Sequence, residues 1–151
     1  DLLGSKGPLG RLAPDDAAEA DIAAAAAAAL ALGRLDVGQG AVAVGGRVVA
    51  LEGAEGTDGM LERVAALRAA GRISQRRKGV LVKLCKPGQD LRADLPSIGL
   101  ETLRRAKAAG LAGIAVEAGR SLVLERAALV SEADAEGLFV TGILPDRMER
   151  A

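Results

Sequence analysis

A chain of 151 residues with 20 basic and 20 acidic side chains, half of its residues hydrophobic and a single aromatic, has the size and composition of one globular domain, not of a disordered or fibrous chain. Zero formal charge and a pI near 6.6 supply no field to draw in nucleic acid, and one aromatic leaves no platform for stacked bases, so no nucleic-acid partner is expected. The absence of histidine excludes Ser-His-Asp and Cys-His nucleophiles and histidine-ligated zinc, leaving acid–base or metal chemistry to Asp, Glu, Lys or bound water.

In chain order, residues 1–14 hold Gly4, Gly7, Gly10, Pro8 and Pro14 and read as a loop or short helical turn leading in from elsewhere. The chain opens at Asp1 without methionine, so a longer protein with an absent N-terminal part is expected. Pro14, Asp15 and Asp16 start a helix, the acids facing the positive end of its dipole, and the alanine-rich run extends it to a stop at Gly33 and Arg34. Its apolar window, Ile22 to Gly33, is well short of the ~20 residues that span a bilayer and is expected to be neither anchor nor signal peptide. DVGQG (36–40) leads into two β-type runs, AVAV and RVVALE, joined by Gly45-Gly46, the strongest hairpin signal in the chain because both positions tolerate positive φ. Met60, Leu61, Val64 and Leu67 recur at helical spacing as far as Gly71, with Thr57 as the expected cap. QRRK (75–78) reads as a solvated charge run, with a phosphate-facing or membrane-facing patch as the alternative.

The apolar run Val80–Val82 reads as the central strand. A helix is expected from about Ser97 to Gly110, strands at GIAVE, SLVLE and GLFVTGI, a helix at Arg126–Glu136, and a polar tail over 145–151. Strands alternating with helices predict an α/β domain over 15–144, with a mixed, mostly parallel sheet that includes the β-hairpin and is flanked by helices. Cys85, beside Leu84 and the preceding valines, reads as a buried thiol in a reducing, cytoplasmic setting.

The unusual chemistry sits in GVLVKLCKPGQDLRADLPSIGLET, from Gly79 to Thr102. Extended, DLRADL would turn Asp90, Arg92 and Asp94 to one face, with the carboxylates about 13 Å apart; one helical turn would bring them to about 6 Å, so a shared metal needs a turn. EGTDG and DLPSIGLET both place glycine and a hydroxyl at a strand-to-helix junction, where free amides accept phosphate oxygens; Thr57 and Ser97 as plain caps account for the same residues. Glu52, Glu55, Asp58, Asp90 and Asp94 fall in or beside loops after strands, where oxygen ligands for Mg²⁺ or Mn²⁺ sit, and Lys83 and Lys86 suit phosphate charge. A structural network of Asp90, Arg92 and Asp94 with those lysines explains the spacing equally well. Gln39 reads as a turn residue.

DVGQGAVAV, EGTDGMLERV and above all the K-x-x-K-P-x-Q-D-x-R-x-D-L-P-x-I-G-x-x-T run resemble the C-terminal domain of the UDP-2,3-diacylglucosamine pyrophosphatases of lipid A biosynthesis, in the form that is not calcineurin-like. The resemblance spans about Leu35 to Ile143. It implies hydrolysis of UDP-2,3-diacylglucosamine to UMP and 2,3-diacylglucosamine 1-phosphate (lipid X), with attack at the phosphorus nearer the sugar and a divalent metal, Mg²⁺ or Mn²⁺. Carried onto this chain, it implies Asp94, Asp90 and Lys83 as catalytic. Gln39, Glu55, Gly56, Thr57, Asp58, Lys86, Gln89, Arg92 and Thr102 would bind substrate, and Asp58, Asp90 and Asp94 would hold the metal. It further implies an N-terminal domain as partner, peripheral contact with the inner membrane through the lipid, and a homodimer as an open arrangement. Taken alone, the domain is expected to bind the acyl-sugar phosphate without hydrolysing the pyrophosphate. A non-catalytic phosphate-ligand or lipid-binding module, with Asp-Arg-Asp as a structural network, is the alternative.

Overall fold

The structure, a computed structural model, describes residues 4–87 and 95–145. Six strands form one sheet: β1 (Gly7–Pro8), β2 (Gly40–Val44), β3 (Arg47–Leu51), β4 (Val80–Lys83), β6 (Gly113–Glu117) and β8 (Phe139–Ile143), in the order β1-β8-β6-β4-β2-β3. The pairs β4–β6 and β6–β8 are parallel, whereas β2 is antiparallel to both β3 and β4 and β1 is antiparallel to β8. Four strands therefore run one way and two the other, the mixed, mostly parallel sheet that the alternation of elements predicts. The hairpin is where the glycines place it, with Gly45 at φ 64° and Gly46 at φ 80°, values that carry no penalty without a Cβ.

Helices α1 (Asp16–Arg34), α2 (Gly56–Ala69), α3 (Leu100–Ala108) and α4 (Arg126–Glu136) cover the two faces. Side chains alternate along each strand, so one sheet serves two cores. Ala41, Ala43, Val80, Val82, Ala115 and Phe139 pack with α1 through Ala18, Ile22, Ala25 and Ala29. Val42, Leu81, Ile114, Val116 and Val140 pack with Met60, Leu61, Leu103 and Leu129 of the other three helices. Small residues on both sides of the α1 interface let that helix lie close to the sheet. Asp15 caps α1 by accepting the N–H of Ala18 at 2.8 Å.

Three expectations are corrected. Residues 7–8 form an edge strand, not a helical turn: Leu9 donates to the Val140 carbonyl at 2.8 Å, and Pro8, which lacks an N–H, is tolerated at an edge. Within SLVLE only Leu122–Val123 are extended. They form β7, paired in parallel with β5 (Ser97–Ile98) in a separate two-stranded sheet, and Glu125 at φ 48° turns the chain into α4. The third helix starts at Leu100, because Ser97 belongs to β5. Residues 146–151 of the expected tail lie outside the described residues.

A Cβ on Gly142 would lie 1.8 Å from the carbonyl oxygen of Ser5. Gly142→Ala should therefore detach β1 and leave the central strands intact. Hydrogen exchange checks this: the Leu9 amide should lose protection while Val82 and Ile114 keep theirs, and equal loss at all three would contradict it.

Candidate active site

The register decides which residues meet. Gly40 pairs with Lys83, and Lys83 with Val116, so the start of β2 and the ends of β3, β4 and β6 share one end of the sheet. Carboxyl ends of strands are where open α/β sheets place ligands. The start of α2 comes to the same end because it follows β3, and the start of α3 is joined to it through the Lys83–Ser97 and Asp58–Thr102 contacts.

Glu52, just after β3, is a buried charge at this end, at 9% exposure. One oxygen accepts the backbone N–H of Gln39 at 3.0 Å and the other accepts the Thr57 hydroxyl at 3.1 Å. The glycines of DVGQG permit this contact, since a Cβ on Gly38 would lie 2.3 Å from the Glu52 carbonyl oxygen. Thr57 is thus not the cap of α2; its hydroxyl faces Glu52, and Glu55 is the N-cap with no side-chain bond to the helix. Ser97 is not a cap either. Gly99 precedes α3, again with no side-chain cap. Both helix starts therefore present first-turn N–H groups that no cap side chain occupies.

Lys83 lies between them, its ammonium donating to the Ser97 carbonyl at 2.9 Å. Burial pushes its pKa below the ordinary lysine value, and the nearby carboxylates of Glu52 and Asp58 oppose that shift. Asp58, in the first turn of α2, accepts from the Thr102 hydroxyl at 3.5 Å and lies 3.8 Å from Arg105, which ties α2 to α3. The early threonine junction and the later helix start are thus brought together, with Lys83 beside both.

The remaining expected residues divide. The carbonyl of Gln39 accepts the Leu84 N–H at 2.8 Å. Lys86 pairs with Asp36 at 2.9 Å. Glu55 is turned to its own loop, holding the Gly53 N–H and Arg63, each at 2.7 Å; the bond to Arg63 is the main reason its pKa is lowered. Gly56, at φ 80°, opens α2. Gln89, Asp90, Arg92 and Asp94 lie outside the described residues. Asp58 is therefore the one member of the expected metal set that is described, and among the described residues no three His, Cys, Asp or Glu gather as a metal-holding group. Sequence reading missed Glu117, at 3% exposure, which accepts the Cys85 N–H at 3.0 Å and lies 3.7 Å from Arg120. Its signal was an acid closing an otherwise apolar strand. Cys85 is buried, as its neighbours suggest.

Fold and geometry define the class: an α/β domain that concentrates polar chemistry at one end of a mixed sheet, around a half-buried lysine and two uncapped helix starts. Comparison with known proteins narrows it. The chain belongs to the LpxI C-terminal domain family, which it matches over residues 5–141. It is also 53% identical, over 141 residues, to the UDP-2,3-diacylglucosamine pyrophosphatase LpxI of Caulobacter vibrioides, with 93% of this chain and 50% of that protein covered. The chain thus spans about half the length of that curated relative. No helix among the described residues is long and apolar enough to cross a membrane.

Two outcomes follow from the geometry. Thr57→Val strands one oxygen of a buried carboxylate and should cost roughly 1–3 kcal/mol in urea denaturation. For Lys83, the folded pKa is the lower one. Between it and the unfolded value the unfolded state holds the extra proton, so Lys83 contributes stability that grows as pH rises through this window. The stability difference between the unsubstituted chain and Lys83→Met, followed from pH 7 to 10.5, should shift in favour of the former; a flat difference would contradict the burial.

Proposed function

We propose that this domain hydrolyses the pyrophosphate bond of UDP-2,3-diacylglucosamine, yielding UMP and 2,3-diacylglucosamine 1-phosphate, as part of a protein of the relative's length. The observation that carries this reading is the meeting of two uncapped helix starts around Lys83: first-turn amides and a half-buried ammonium suit phosphate oxygens, and neither Thr57 nor Ser97 occupies those amides. The family match and the relative's name point to the same chemistry.

In this reading the water oxygen bonds to the phosphorus nearer the sugar, and the bond from that phosphorus to the bridging oxygen breaks. The bridging oxygen leaves with UMP. Lys83 and the amides opening α2 and α3 offset the charge on the pyrophosphate oxygens. Lys86, Arg92, Gln89 and Gln39 would bind the substrate, and Asp94 with Asp90 would orient the water. Glu52 holds Thr57 and the Gln39 loop in place. Asp58 with Asp90 and Asp94 would hold Mg²⁺ or Mn²⁺, which supplies Lewis-acid polarisation of the phosphoryl group when bound. The described residues contribute one carboxylate to that set, so the cation rests on the sequence pattern and the resemblance. The protein works in the cytoplasm, reaching the inner membrane through its lipid substrate.

The test is Asp94→Ala in a protein of the relative's length. Release of UMP from UDP-2,3-diacylglucosamine should fall by roughly a hundredfold or more, with its Mg²⁺ dependence lost and the melting temperature within a few degrees. Full turnover would overturn the reading, and a collapsed melting temperature would favour the structural Asp-Arg-Asp network. The 151-residue chain alone should bind 2,3-diacylglucosamine 1-phosphate without releasing UMP from the nucleotide substrate.

A further inference from the structure

The amino-terminal end of the sheet, away from Lys83, holds a cavity of about 610 Å³. One wall is the start of α1, with Asp15 and Asp21; the other is the loop carrying Arg76, Arg77 and Lys78, with the Gly45-Gly46 turn at its rim. That loop is a built feature. The guanidinium of Arg68 donates to the carbonyls of Ala109, Arg77 and Lys78 at 2.8, 2.7 and 2.5 Å, and to that of Ser74. One cation is thereby spent on backbone oxygens to hold three others in place. Arg77 lies along the hairpin, its Cδ 3.0 Å from where a Cβ of Gly45 would be.

No ion pair crosses the gap. Among the described residues no carboxylate comes within 4.0 Å of the side-chain nitrogens of Arg76, Arg77 or Lys78, nor of nearby Arg47 and Arg72. The two acids on the opposite wall have other partners: Asp15 takes the Ala18 N–H at 2.8 Å, and the 4%-exposed Asp21 takes the Gly46 N–H at 2.6 Å. Three cations thus line the cavity against two carboxylates, and among the described residues none of the three is held in an ion pair. A solvated charge run needs neither a cavity nor a dedicated arginine beneath it.

We propose that this cavity binds a phosphate monoester, held by Arg76, Arg77 and Lys78, at a site separate from the catalytic end. Two sources share this chemistry: the headgroup of an anionic lipid and a free phosphate ester. Guanidinium forks match phosphate oxygens in pairs, and a partly walled site screens the contact less than open solvent does. A ligand here lies at the far end of the sheet from the proposed pyrophosphate site, so the two could be filled together.

The test uses the 151-residue chain carrying Lys83→Met, so that the catalytic end contributes little. It is compared with the same chain also carrying Arg76→Ser, Arg77→Ser and Lys78→Ser, and with a control carrying Lys6→Ser and Arg34→Ser. One arm titrates inorganic phosphate by calorimetry. The other sediments phosphatidylcholine vesicles containing phosphatidic acid, at low salt. At about fivefold per cation, the triple change should weaken binding by roughly a hundredfold, while the control stays within about twofold. Loss in the vesicle arm alone assigns the site to a lipid headgroup, loss in the phosphate arm alone to a soluble ester, and loss in both to either source. No binding by the Lys83→Met chain in either arm, or a loss no larger than the control's, overturns the proposal. The pair Arg76→Ser and Lys78→Ser, which leaves Arg77 on the hairpin, repeats the test at roughly twenty-fivefold should the triple variant melt early.

Discussion

The carboxylate of Glu52 is the contact on which the carboxyl end of the sheet depends. A buried carboxylate is tolerable only when its oxygens are bonded and an opposite charge is near. Glu52 meets both conditions with groups from three separate segments: the Gln39 amide, the Thr57 hydroxyl and the charge of Lys83. Satisfying one charge therefore brings together the DVGQG loop, the start of α2 and the end of β4. Lys83 extends the arrangement to a fourth segment through the Ser97 carbonyl, and Asp58 with Thr102 closes it between α2 and α3.

The sheet makes this affordable by giving its two faces different work. Small side chains let α1 pack closely on one face, while larger ones hold three helices on the other. Bulk that would otherwise fill the strand ends stays in the layers. The ends are left for polar groups: Glu52, Asp58, Lys83 and Glu117 gather at the carboxyl end, whereas Arg76, Arg77 and Lys78 share a cavity with Asp15 and Asp21 at the other. That division is a matter of placement, which composition cannot express.

Much of the fold was legible because its signals are local. Two glycines between alternating apolar runs made the hairpin, an aspartate before an alanine run made the cap of α1, and Arg126–Glu136 is helical over the expected span. The failures share one cause. Thr57 and Ser97 have the residue types of caps, yet each is drawn to another partner, Thr57 to the buried Glu52 five residues back and Ser97 to a pairing with Leu122 in β5–β7. Residues 7–8 look like a loop because the strand they pair with lies more than a hundred residues away. QRRK is exposed, as its charges suggest, but nothing in its own sequence announces that Arg68 will hold its backbone carbonyls.

By itself the sequence determined the α/β class, the hairpin, the extent of most helices, the exclusion of histidine chemistry and, through its specific lysine- and aspartate-bearing run, the family. These rest on periodicity, turn chemistry and residue identity, all of which are properties of neighbours in the chain. Only the tertiary structure decided that Glu52 is a buried clamp, that both helix starts are uncapped, that Glu117 holds Cys85, and that the basic loop walls a cavity at the opposite pole. Those depend on strand register and on which buried charge finds which partner, and contact energies between distant segments leave no periodic trace in the sequence that encodes them.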